Sequence, residues 1–206
     1  MTAAVLWDFG GVITTSPFEA FASYERAHDL PENFIRRLNA TDPDTNAWAA
    51  FERGEVDIDE FARRFEDEAR RAGGQLDARA VVDCIRGSVR PRMVEAVRRC
   101  RRSFKSALLT NNFSVGGTTG AHEDLLHEFD VVVESSLVGC RKPDPRFYRM
   151  ACELLEIEPS DAVFLDDLGI NLKPARALGM RTIKVGDPDD ALRELEELTG
   201  LQLLDD

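Results

Sequence analysis

Apolar residues follow two different patterns along this chain. Short runs of bulky or β-branched residues, each bounded by polar or turn-forming positions, occur at Val5-Leu6-Trp7, Ser106–Leu109, Val131–Val133, Ala162–Leu165 and Thr182–Val185. Runs of this length without polar alternation predict strands buried on both faces. The stretch 4–13 predicts the first strand and a glycine turn, since Asp8 is followed by Phe9-Gly10-Gly11. Between these runs the apolar spacing is helical. Pro91, Asp144-Pro145 and Asp187-Pro188 predict helix starts, with the first two helices reaching about Arg102 and Glu156. Leu125 and Leu126 predict a short helix, and another is expected from about Asn171 to Gly179. Strands alternating with helices imply an α/β fold: a parallel sheet with helices on both faces.

From Ser16 to Ser88 only the helical pattern appears. Phe18, Phe21 and Ala22, then Phe34, Ile35 and Leu38, then Trp48, Ala49 and Phe51, recur at helical spacing, as do Ile58, Phe61, Ala62, Phe65 and Ala69, and finally Val81, Val82 and Ile85. Asp57 with Glu60 three residues later predicts a capping box, and Gly73-Gly74 a helix stop. A helical unit inserted after the first strand divides the chain into a core of 1–15 and 89–206 and an insertion of 16–88. Trp48, Phe51, Phe61 and Phe65 are either a substrate-facing wall or the insertion's own core. Pro17 and Pro91 lie near its two junctions, as hinge ends or as ordinary helix starts.

Composition limits the partners. The 206 residues are 43% hydrophobic and 31% charged, enough for a sizeable core, and the net charge is −12. That charge argues against a nucleic-acid or anionic-membrane partner, while leaving room for a small phosphorylated ligand in a local site. The basic cluster Arg98, Arg99, Arg101, Arg102 and Lys105 reads as a solvated helix face. No run approaches the ~20 residues of a membrane span. The first apolar run is too short for a secretory signal, and Cys84, Cys100, Cys140 and Cys152 form no C-x-x-C pair, so reduced thiols and a cytoplasmic location are expected. Cys140 is either redox-sensitive or a plain loop cysteine. His28, His122 and His127 are not spaced with the cysteines as a zinc site requires.

Three predicted strands end in polar groups: Asp8, Thr110-Asn111 and Asp166-Asp167; Lys142 lies in the loop after the Val131–Val133 strand. In a parallel sheet the carboxyl ends share one edge, so these groups converge. Carboxylates so crowded remain ionised cheaply only with a cation between them. Hard oxygen ligands in a small cleft suit Mg²⁺, which commonly binds a substrate phosphate as well. Lys142, Thr110, the Asn111 N–H and the glycine-turn N–H groups are candidates for the remaining phosphate oxygens.

This ordered set resembles the four motifs of the haloacid dehalogenase (HAD) superfamily. The helical segment after the first strand is similar to that family's C1-type cap on a Rossmann-like core. Leu109-Thr110-Asn111-Asn112-Phe113, Gly139-Cys140-Arg141-Lys142-Pro143-Asp144 and Phe164-Leu165-Asp166-Asp167 through Asn171-Leu172-Lys173-Pro174-Ala175-Arg176 resemble the subgroup with the amino-terminal phosphatase domain of soluble epoxide hydrolase. The resemblance implies a magnesium-dependent phosphatase for small organic phosphates. It makes Asp8 nucleophile and metal ligand, with the Gly10 carbonyl and Asp167 as further ligands and Asp166 in the same acidic shell. Thr110 and Asn111 bind phosphate, Lys142 steadies the nucleophile and neutralises phosphate charge, and Asn171 is a supporting polar contact.

One departure matters. Phosphatases of this family usually carry a second Asp two residues after the nucleophile, as general acid and base. Here that residue is Gly10. A missing general acid/base typically costs ~10²–10⁴ in rate. Activated leaving groups should suffer less than alkyl phosphates. A dehalogenase, which expels halide without a proton, and a non-catalytic phosphate-binding or regulatory protein are the alternatives.

Overall fold

The computed structural model describes residues 2–112 and 123–204; Phe113 and His122 lie outside the described residues. Five strands form one parallel sheet in the order β3-β2-β1-β4-β5: β1 Ala4–Trp7, β2 Lys105–Thr110, β3 Val131–Glu134, β4 Ala162–Asp166 and β5 Arg181–Lys184. Each lies within one or two residues of its expected position. The central strand β1 is buried throughout, as its unbroken apolar run requires.

Side-chain alternation divides the core into two layers. Val5, Trp7, Leu108, Val163, Leu165 and Ile183 face one side, against α6 (Pro91–Arg101) and α11 (Pro188–Thr199). Leu6, Ala107, Leu109, Val133 and Phe164 face the other, against α9 (Pro145–Leu155) and α10 (Gly169–Ala177). Proline opens α6, α9 and α11, where its missing N–H is no loss. Asp144 caps α9 by accepting from the Arg146 N–H, and Asp187 caps α11 by accepting from Asp189 and Asp190. The helix expected from Asn171 begins two residues earlier, at Gly169. The four-residue α7 (Glu123–Leu126) follows the undescribed stretch, and α8 (Ser135–Val138), which has no signal in the apolar pattern, follows β3. No described helix is long and apolar enough to cross a membrane.

Residues between β1 and α6 form α1 (Pro17–Ala27), α2 (Phe34–Ala40), α3 (Ala47–Glu52), α4 (Ile58–Arg71) and α5 (Ala78–Cys84). They enclose a separate apolar cluster, in which Phe51 stacks on Phe61, Phe61 on Phe65, and Trp48 packs by its edge on Phe21 and Phe61. Trp48, Phe51, Phe61 and Phe65 are therefore this unit's own core. Asp57 caps α4 through the Glu60 N–H at 2.8 Å. The Glu60 carboxylate pairs with Arg63 and Arg64, so only half of the expected capping box forms.

Two antiparallel connections join this unit to the sheet. Thr14 bridges Val89, the Thr15 N–H donates to Ser88 O at 2.9 Å, and the Arg90 N–H donates to Ile13 O at 2.8 Å. Pro17 and Pro91 each sit at a helix start just beyond this neck. The basic cluster is solvated and paired: Arg98 with Glu128, Arg99 with Glu95, and Arg101 with Glu128 and Asp130. The four cysteines are free. Burial pushes the Cys140 thiol up, which opposes the thiolate that redox reactivity needs.

Phe61 is completely buried between two stacked rings. Phe61→Ala is expected to lower the unfolding free energy by about 3–5 kcal/mol, read by urea denaturation followed by circular dichroism. A loss below about 1 kcal/mol would mean that the cluster repacks freely.

Candidate active site

The register of the sheet builds the site. Trp7 lies beside Leu108 on β2 and Leu165 on β4. The next residue along β1, Asp8, therefore stands beside Asp166 at the carboxyl edge, with Thr110 at the end of β2. A wide five-residue turn, Phe9–Ile13, leaves Asp8 at its head. The Phe9 N–H donates to Asp8 Oδ1 at 2.6 Å, and the Asp8 N–H donates to Leu165 O.

Lys142 comes in from the loop after α8. Its side chain is 1% exposed, and Nζ lies 2.7 Å from Asp8 Oδ1 and 2.8 Å from Asp166 Oδ2. Burial alone would drive this ammonium toward neutrality; the Asp166 and Asp8 carboxylates outweigh it and raise its pKa. Asp166 is fully buried. It accepts from Lys142 Nζ, from the Leu168 N–H at 2.8 Å and from Asn171 Nδ2 at 3.1 Å to each oxygen. Asn171 is fixed in turn by Tyr148, whose hydroxyl donates to Asn171 O at 2.7 Å. Asp166 thus serves as the counter-charge that anchors Lys142.

Asp167 lies on the other side of the turn, and its approach depends on Gly11. Gly11 has φ +78°, and a Cβ there would fall 2.3 Å from Asp167 Oδ2. Both the backbone conformation and the carboxylate exclude a side chain at this position. Gly10 differs: its φ is −69°, and a Cβ would meet only the Pro17 ring, at an ordinary 3.6 Å.

Each of Asp8, Asp166 and Asp167 offers an oxygen within 4.8 Å of the others. Burial first, and then the neighbouring Asp166 charge, raise the Asp8 carboxyl well above the usual range and push Asp167 up to about 6; Lys142 opposes both shifts. Three carboxylates so placed, with one buried ammonium, hold an excess of negative charge that a hard divalent cation would neutralise. The donor set fits Mg²⁺.

Thr110 is buried at the end of β2. The Asn111 side chain grips the lysine loop: Oδ1 accepts from the Lys142 N–H at 2.9 Å, and Nδ2 donates to Lys142 O at 3.0 Å. All the expected site residues are thus gathered at one edge. Two more, which the sequence reading did not single out, stand beside them. Arg90 donates from Nη1 to Gly11 O at 2.6 Å and pulls against the rise at Asp167. Glu52, at the end of α3, pairs with Arg141 at 2.7 Å. Its signal was a lone charge at the end of the otherwise apolar Ala47–Phe51 run.

Residues 2–179 match the model of the haloacid dehalogenase-like hydrolases. The chain belongs to this family. It is 35% identical, over 97% of its length, to acyl-CoA dehydrogenase family member 10 of Mus musculus, and 32% identical, over 98%, to bifunctional epoxide hydrolase 2 of Sus scrofa. It spans only 19% and 39% of those proteins. Among solved structures, a HAD family enzyme of Bacteroides thetaiotaomicron in complex with magnesium and inorganic phosphate has a TM-score of 0.64 at 17% identity. The match covers 91% of this chain and 96% of that one, and shows a shared fold.

The raised carboxyls of this HAD-like site set a pH dependence. A carboxyl whose pKa is higher folded than unfolded destabilises the folded state as the pH rises, because folding then holds a charge that the unfolded chain carries more cheaply. For Asp167 the window runs from the ordinary value near 4 to about 6. Metal-free protein should therefore melt at a lower temperature at pH 7.5 than at pH 5.5, and Mg²⁺ should raise the melting temperature more at pH 7.5. Asp167→Asn should weaken both effects. A magnesium-induced shift equal at the two pH values would exclude this origin.

Proposed function

We propose that this chain is a Mg²⁺-dependent phosphatase of small organic phosphate monoesters, with Asp8 as nucleophile. The observation that carries this reading is the carboxylate triad Asp8, Asp166 and Asp167 with Lys142 between two of its members. The magnesium and phosphate in the Bacteroides relative's structure point the same way. A dehalogenase is compatible with Gly10 but has no use for a third carboxylate here, and Asp167 keeps a raised pKa despite the pull of Lys142 and Arg90.

Asp8, the Gly10 carbonyl and Asp167 would hold the metal, with Asp166 behind them on Lys142. Bound there, Mg²⁺ would neutralise the carboxylates and the phosphate facing them and lower the cost of bringing the two together. Thr110, the Asn111 N–H, Lys142 and the Gly10-Gly11 turn would hold phosphate oxygens. An Asp8 carboxylate oxygen attacks phosphorus, the P–O bond to the leaving group breaks, and an aspartyl-phosphate forms. Water then attacks that phosphorus and Asp8 leaves as carboxylate. The helical unit, residues 16–88, acts as a cap that excludes water and selects the substrate.

With glycine at position 10, that position offers the leaving oxygen no proton, and a residue of the helical unit or water has to take its place. Aryl and acyl phosphates, whose leaving groups are stable as anions, are the favoured substrates. The free space at Gly10 and its ordinary φ allow an aspartate to be built there.

Two measurements test this. Hydrolysis of p-nitrophenyl phosphate should require Mg²⁺ and should disappear in Asp8→Asn; turnover that survives either change would exclude the mechanism. Gly10→Asp should raise the rate on alkyl phosphates about 10²-fold, and much less on p-nitrophenyl phosphate. Equal gains on both would mean that leaving-group protonation is not what Gly10 lacks.

A further inference from the structure

One buried carboxylate of the helical unit reaches the loops at the carboxyl edge of the sheet. Glu52 ends α3 and is 8% exposed. Its Oε1 accepts from the Trp48 indole Nε1 at 2.9 Å, within the helical unit. Its Oε2 turns to the core, accepting from Arg141 Nη1 at 2.7 Å and Asn111 Nδ2 at 3.3 Å. Two residues on, Gly54 lies so close to the Ser136 carbonyl of α8 that a Cβ would be 2.5 Å from it. The end of α3 is thus seated on the core.

What Glu52 touches is not generic surface. Asn111 binds both backbone polar groups of Lys142, and Arg141 Nε donates to Lys142 O at 3.3 Å. The Lys142 ammonium in turn bonds Asp8 and Asp166. The series Trp48, Glu52, Asn111, Lys142, Asp8 is therefore continuous from the helical unit to the nucleophile.

We infer that Glu52 is a positioning residue: seated on Asn111 and Arg141, it fixes the Lys142 backbone and so aims the ammonium at Asp8. Asn111 Nδ2 is shared between Glu52 Oε2 and Lys142 O, so Glu52 orients the amide whose other end holds the Lys142 N–H. A charged acceptor orients such an amide more strongly than a neutral one. When the helical unit lifts, Glu52 leaves with it, and Lys142 loses its outer support. The reacting geometry would thus be complete only with the unit seated. The kinetic consequence rests on the phosphatase reading; the structural link does not.

The test uses the full chain as wild type, Glu52→Gln, Asn111→Ala and the double variant. Glutamine keeps the size but offers one acceptor oxygen for the three donors, Trp48, Arg141 and Asn111. Amide hydrogen exchange by mass spectrometry reads the link without turnover. The Lys142 N–H should exchange about tenfold faster in Glu52→Gln, with β4 unchanged, and Glu52→Gln should add nothing in the Asn111→Ala background. With Mg²⁺ and p-nitrophenyl phosphate, kcat should fall about tenfold and KM change less than about threefold, again without additivity. If Glu52→Gln unfolds, Arg141→Gln breaks the same contact from the core side and should give a smaller change in the same direction. Unchanged exchange at Lys142, or a Glu52→Gln effect of equal size with and without Asn111, would overturn the proposal. An inactive wild type with coupled exchange would overturn the phosphatase reading alone.

Discussion

The Lys142 ammonium is a full charge held out of water, and the rest of the site is arranged around that constraint. A buried lysine stays charged only if carboxylates meet it directly; here Asp8 and Asp166 do so at 2.7 and 2.8 Å. Those carboxylates come from neighbouring strands of one parallel sheet. Asp166 is held by Asn171 and the Leu168 N–H, and Asn171 by Tyr148. Removing one partner would leave an uncompensated buried charge, which typically costs about 3–5 kcal/mol. Stability and chemistry therefore draw on the same contacts. The site also stays under electrostatic strain, since burial and the Asp166 charge raise the Asp167 carboxyl against the pull of Lys142 and Arg90.

The fold separates rigidity from access. The sheet and the helices on its faces hold Asp8, Thr110, Asp166 and Asp167 at strand ends whose register is fixed by burial on both sides. The helical unit has an aromatic core of its own and meets the sheet at the Thr14–Val89 neck and the end of α3. An element with its own core can move as a body without loosening the sheet. Gly10 lies where these parts meet, with the Pro17 ring of the helical unit 3.6 Å from the position of its absent Cβ. The most unusual residue of the site is thus placed where substrate and helical unit would both be felt.

Much of this could be read from the chain itself. The five strands, the proline-opened helices and the strand-end residues Asp8, Thr110 and Asp166-Asp167 all follow from local patterns: unbroken apolar runs, glycine turns and capping residues. The parallel arrangement then brings those residues to one edge without further information. Gly11 was legible as a turn glycine; that Asp167 presses on it was not. The α8 turn left no trace because four residues carry no period, and Glu60 did not complete its capping box because Arg63 and Arg64 compete for it.

Sequence by itself determined the layered α/β core, the inserted helices and the set of groups that converge at the strand ends, because burial and turn chemistry act over a few neighbouring residues. Only the tertiary structure decided how that set is divided. It turned Asp166 inward onto Lys142 and left Asp167 against the glycine turn. It turned the Asn111 side chain onto the Lys142 backbone and brought Glu52 from a distant helix onto Asn111 and Arg141. Glu52 and Asn111 are 59 positions apart. A contact across that separation is set by how two packed bodies meet, and no local pattern encodes it.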